Sequence, residues 1–291
     1  MFLGRRGGNL ASMASLLALF SSALWGTADF FAGRLTKRFN PFAVLGISQI
    51  FGLGVGLLIV LVSRDWKGVV LGVDGFLWPG ILAGVFGYIG LACLYEGLST
   101  GRMGVVAPIS SMSAVVPLAY ALITGDKLST IALFGIAIAL VGIFCASGPE
   151  LSQGLPLRPL LLALGAAGAF GLTLTFMAIG SESSALMTMV TMRATTFFIT
   201  LGIVLKFRTT GGFSRADIPI LIFIGAADFL ANLLLGVATT KGLVSVAMVF
   251  GSLFPIATAV LAFKILNERL QKVQYVGIGL AVCGVSLISA F

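Results

Sequence analysis

Histidine is absent from the chain. That excludes imidazole proton relays, histidine-ligated metals and every triad built on a histidine base. Charge is almost as scarce. Asp, Glu, Lys and Arg together make 10% of the residues, against about 25% in a soluble globule. Cysteine occurs only at Cys93, Cys145 and Cys283, each inside an apolar run and without the paired spacing of a metal or redox centre. There is no glycine loop shaped to cradle a phosphate, no nucleophile beside a base, and no polar stretch large enough to hold a soluble core. These absences argue against an enzyme and call for no cofactor and no metal.

What remains is apolar. Hydrophobic residues make 58% of the 291-residue chain, and a helix of roughly 20 of them crosses the hydrocarbon core of a bilayer. The spacing predicts ten such spans, at about 11–33, 41–63, 76–98, 104–124, 129–147, 160–179, 184–205, 218–239, 244–266 and 272–290. Arg5-Arg6 before the first span resembles a signal peptide, but 11–33 is long for one and no small-x-small cleavage site follows. It reads as an uncleaved first span. The net charge of +8 does not point to nucleic acid, because the basic residues flank span ends, where they encode orientation. Eleven of them fall on odd-numbered loops and six on the even loops and N-terminal segment, with Arg193 completing the eighteen. That count places the odd loops in the cytoplasm.

The last fifty residues repeat a design used once before. Pro117 echoes Pro255, and from Asp126-Lys127-Leu128, which echoes Glu268-Arg269-Leu270, the copies keep a constant spacing of 142, so that Gly135, Ala139 and Gly142 fall on Gly277, Ala281 and Gly284. Earlier, Trp25-Gly26 matches Phe170-Gly171, Gln49 matches Arg193, and Arg64 matches Arg208. A recurrence over so long a period marks an internal duplication. Residues 1–150 form the first five-span half and 151–291 the second, with 148–159 as linker. Because five is odd, the second half enters the membrane upside down, giving an all-α integral membrane protein of two inverted repeats. In that architecture the substrate sits near the midplane, between the repeats.

With Leu24-Trp25-Gly26, Pro117, Pro255 and Asn267-Glu268-Arg269-Leu270 in place, the chain resembles ten-helix transporters of the EamA type in the drug/metabolite transporter superfamily. The resemblance covers nearly the whole chain. It implies a multi-pass carrier of small organic metabolites such as amino acids, with export the favoured direction, seated in the inner membrane with cytoplasmic termini. The charge count puts the termini on the other side, and the two indications stand opposed. An uncoupled facilitator, a pore, or an exporter of drugs or lipid-linked substrates is the alternative reading.

Candidate site residues follow from the cost of charge at membrane depth, about 2.5–3.5 kcal/mol on insertion scales. Asp29, Arg193 and Asp228 lie inside predicted spans, and Arg193 and Asp228 are expected to pair. Gly225, Asp228, Asn232, Gly236 and Thr239 share one helical stripe, as do Ser21, Trp25 and Asp29, and as do Gly84, Gly87, Tyr88, Ala92 and Tyr95. The three stripes, with Gln49, are expected to converge on one substrate cavity. If Asp228 serves the arginine, Asp29 is the carboxylate left for proton coupling. A zwitterion suits two carboxylates and one guanidinium, with Trp25 or Tyr88 packing its side chain. Glu96, near a span end, reads as an interface residue. Thr173 and Thr175 are expected to bond their own helix. The expected partners are thus a small molecule and the lipid bilayer, as monomer or homodimer.

Overall fold

A computed structural model describes residues 3–66, 75–100, 109–146, 157–207, 211–266 and 271–290. Helices account for nearly all of them, and no strand occurs among them. This is the economical solution for an apolar chain, since a helix satisfies its own backbone where no water is present to do so. In order, α1 is Leu3–Thr36, α2 Pro41–Ser63 and α3 Leu77–Thr100. A 3₁₀ turn, Ser111–Ala114, leads into α4, Val115–Thr124. Then come α5, Thr130–Ala146, and α6, Leu157–Phe207. The second half closes with α7 (Ile218–Thr239), α8 (Val244–Gly251), α9 (Phe254–Leu266) and α10 (Lys272–Ala290).

Two of these need interpretation before the ten spans reappear. The 51-residue α6 is a hairpin of two limbs, because Ser184 is extended at φ −163°, ψ 110°. Its hydroxyl accepts from the Met187 N–H at 3.3 Å, so Ser184 serves as N-cap of the second limb. Conversely, α8 and α9 are one span broken at Ser252 and Leu253. The linker expected at 148–159 ends sooner, for α6 begins at Leu157 and Pro159 sits in its first turn, where its missing N–H costs nothing. The expected hinge at Asn267-Glu268-Arg269-Leu270 lies outside the described residues.

The two repeats interlock. Helix α3 packs along α6, while α7 packs along α1 and α2, and α5 crosses α10. The last crossing is so close that a Cβ on Gly135 would stand 2.9 Å from the Gly284 carbonyl oxygen, and one on Gly142 would strike the Ala281 backbone. Exchanging the halves at a spacing of 142 turns the first contact into Gly277 against Gly142, which is also present. Small residues let helices approach where lipid offers no hydrophobic drive. Likewise Gly225 of the second half abuts the Ser48 carbonyl of the first, as Gly84 of the first abuts the Met192 carbonyl of the second.

Call the side bearing the even-numbered connections the even face, and the other the odd face. The largest buried cluster, including Ala18, Val60, Phe76, Met177, Met189, Leu235, Met248 and Phe250, is drawn from the even-face halves of the helices. On the odd-face side, the Asp29 side chain is accessible and Gly33 has no neighbour within 4 Å of a built Cβ. The even face thus carries the larger buried cluster, and the odd face a smaller one at Leu35, Val44 and Leu221 with an opening beside Asp29.

Candidate functional site

Midway along α7, Asp228 gathers its partners from both repeats. Trp25 of α1 donates its indole N–H to Oδ1 at 3.0 Å, and Gln49 of α2 donates its amide to Oδ2 at 3.0 Å. Asn232, one turn along α7, donates to Oδ1 at 3.1 Å and to the Asp228 carbonyl at 2.7 Å. Arg193, from the second limb of α6, brings Nη2 to 2.8 Å from Oδ2. That contact is a charge pair too poorly aligned to be a hydrogen bond, since Arg193 Nε and Nη2 have no hydrogen-bond partner among the described residues. The other guanidinium nitrogen, Nη1, donates to Gln49 Oε1, which Thr196 also approaches at 3.4 Å.

Burial divides the roles. The Arg193 side chain is 6% exposed and Asp228 24%, so the carboxylate forms the accessible side of the pair and the guanidinium its buried support. A buried charge left unpaired is severely destabilising, and arginine has no neutral form to retreat to. The arginine therefore needs its carboxylate more than the carboxylate needs it. Asp228 keeps three neutral donors in any case.

Asp29 lies one helical turn beyond Trp25 toward the odd face. It is accessible, has no hydrogen bond or ion pair among the described residues, and is close enough to Asp228 for their charges to interact. Trp25 packs edge-on against Phe254 at 6.3 Å between ring centroids, giving the opening an aromatic wall.

Of the three stripes expected to converge, two do. Ser21 donates to the Ala231 carbonyl at 2.7 Å, locking α1 and α7 together just below the Trp25–Asp228 bond. The α3 stripe is a packing surface instead: Gly84 and Gly87 lie against Thr195 and Thr173 of α6. Tyr88 is buried beside Thr200, two helical turns along from Arg193, and is not bonded to the Asp228 cluster. The Tyr95 side chain lies outside the described residues. Glu96 meets Arg158 at 2.6 Å near a span end, while Thr173 and Thr175 bond the carbonyls four residues back. The reading of the residues alone missed Thr196, whose place beside Arg193 and Gln49 carries no signal in a helix rich in threonine.

Crossed apolar spans and a charged cluster drawn from both repeats define a multi-pass membrane protein. The EamA-like transporter family matches residues 12–148 and again 157–290. The chain belongs to that family, and so to the drug/metabolite transporter superfamily. An uncharacterized protein of Methanocaldococcus jannaschii is 26% identical over 135 residues, which cover 96% of that protein and 46% of this chain. A relative of that length is the size of one repeat. A protein crystal structure superposes with a TM-score of 0.78, covering 94% of both chains at 14% identity, and so shares the fold.

Proposed function

We propose that the chain is a secondary carrier of the inner membrane, which exports small organic metabolites, amino acids among them, by alternating access of its two repeats. One observation carries the reading: Asp228, at midspan and partly accessible, is held by Trp25 and Gln49 of the first repeat and by Arg193 and Asn232 of the second. A site whose ligands come from both repeats changes shape when the repeats rock. That is the coupling a carrier needs. A zwitterion or an ammonium group would meet Asp29 and the accessible edge of Asp228, with Trp25 and Phe254 flanking its apolar part. A carboxylate would compete with Asp228 for the Nε and Nη2 edge of Arg193, a fork that suits two oxygens.

Any proton coupling runs through Asp29, the carboxylate of the three-charge group without a protein partner, because Asp228 is engaged four times over. The decisive measurement is uptake by proteoliposomes against a panel of amino acids, organic acids and amines, with counterflow and an imposed pH gradient. Saturable counterflow that Asp228→Asn abolishes is the expected result. Conduction that neither saturates nor exchanges sinks the carrier reading. Proton-driven accumulation unchanged in Asp29→Asn removes Asp29 from the coupling.

A further inference from the structure

We infer that Asp126 is a positioning residue of the transport cycle, a latch that holds the even face shut. The inference rests on the alternating-access reading above. Helix α8 opens at Leu243, whose side chain makes no cap, so its first-turn N–H groups need acceptors from elsewhere. Asp126 supplies one from 119 residues away. Its Oδ2 accepts from the Ser245 N–H at 3.0 Å and from the Ser245 hydroxyl at 2.7 Å. A carboxylate is the favoured group there, because the helix presents its positive end.

The position of the bond gives it a role. Asp126 belongs to the connection between α4 and α5 in the first repeat, and Ser245 to the ninth span, in the second. Ser245 is fully buried, as are Ala247, Met248, Val249 and Phe250 just after it, and Leu128 beyond Asp126 packs on the same cluster. The pair therefore stands at the rim of the closed face and joins the two repeats across it. Parting the repeats there must break both bonds and strand donors in the first turn of α8. An interaction made in one state and lost in the other shifts the population toward the first. Toward the odd face α9 meets α1 through a neutral bond, from the Thr258 hydroxyl to the Gly26 carbonyl at 3.0 Å, with Asp29 and Gly33 open beyond it, and the ion pairs that cross between the repeats there, Arg38 with Asp217 and Arg158 with Glu96, use exposed arginines.

The test reads each face separately. One cysteine replaces Gly33, which has open space around it, and in a second protein one replaces Ala247, 1% exposed. Labelling by a charged maleimide is measured on the purified full-length protein, above the level of the protein without the added cysteine. Native protein labels at position 33 and little at 247. Asp126→Ala raises labelling at 247 several-fold and lowers it at 33, while Asp126→Asn, which keeps an acceptor oxygen, stays near native. Ser245→Ala, which removes one of the two donors, moves the pair of sites in the same direction by less. A variant that leaves both positions at native levels overturns the latch. One that raises both does so too, since it reports loosening rather than a shift between states. The carrier reading fails on separate grounds if both positions label rapidly in the same native molecules, as they would in a continuous pore.

Discussion

Asp228 shows how one side chain turns a cost into a specification. Ionised at membrane depth it is expensive, and three hydrogen bonds with a guanidinium at 2.8 Å are what make it tolerable. Arg193→Ala and Asp228→Ala should each cost about 3–5 kcal/mol by stranding the other charge. The double variant should lose clearly less than the sum, read as a double-mutant cycle on thermal unfolding in detergent. Strict additivity means that the two do not interact. Trp25→Phe keeps the ring and removes the donor; it should cost about 1–3 kcal/mol and move substrate affinity more than Leu24→Ala, measured by ligand-dependent stabilisation with whichever substrate the uptake panel identifies. A different carboxylate contributes to stability against acid. Asp217, beside the N-terminus of α7, accepts from the Ser214 hydroxyl and N–H at 2.6 and 3.0 Å, with Arg38 at 3.5 Å. The Ser214 bonds, then Arg38, hold its carboxyl below the ordinary value of 3.8. A depressed carboxylate contributes stability that is complete above its unfolded value and is lost as pH falls through the folded one. Melting curves should therefore show native protein ahead of Asp217→Ala at neutral pH, with the gap closing below about pH 4. A gap independent of pH would mean that the ionised form is not what matters.

At the scale of helices, the spans and the duplication were legible because periodicity and long-range spacing survive in one dimension. The α5–α10 crossing is the best instance: Gly135, Ala139 and Gly142 recur as Gly277, Ala281 and Gly284 and meet face to face. Gly142→Leu should therefore disrupt the bundle, whereas Gly33→Ala should be nearly silent, since nothing lies within 4 Å of its built Cβ. Yield and melting temperature in detergent check both, and equal tolerance would show that the close approach is dispensable. The α3 stripe packs on α6 instead, for a related reason. Small residues at helical spacing mark a surface that meets something, but the same spacing serves a helix or a cavity, and only the partner distinguishes them. Tyr88 met α6. The cap on α8 was also illegible, because its acceptor comes from a hinge in the other repeat.

For the molecule as a whole, composition alone placed the chain in the membrane, and the doubled family match at 12–148 and 157–290 agrees with the repeat found by spacing. The site was legible as a set of charges and stripes, and its wiring was not. Trp25, Gln49, Arg193, Asp228 and Asn232 come together, while Asp29 stands at the approach to them. Which donor meets which oxygen depends on how far each helix turns about its axis, a quantity that sequence spacing leaves open. An even number of crossings returns the chain to its starting side, so reporters fused to the two ends should give the same answer. Opposite answers would require an odd number of spans.

Gln49 and Arg193 occupy matching places in the two halves, and they touch. Matching residues can meet only where the axis relating the halves passes between them. In an assembly of two identical half-length chains, that place would hold two copies of one residue. Two arginines there would repel, and two glutamines would leave Asp228 without its cation. Joining the halves into one chain releases that constraint, letting a lone cation stand beside a neutral donor on a symmetry axis. Gln49→Arg should consequently damage folding more than Arg193→Gln, with recovered yield and melting temperature as the readout, and the reverse order would place the axis elsewhere. Fusion, on this view, made lopsidedness available at the centre of a symmetric frame.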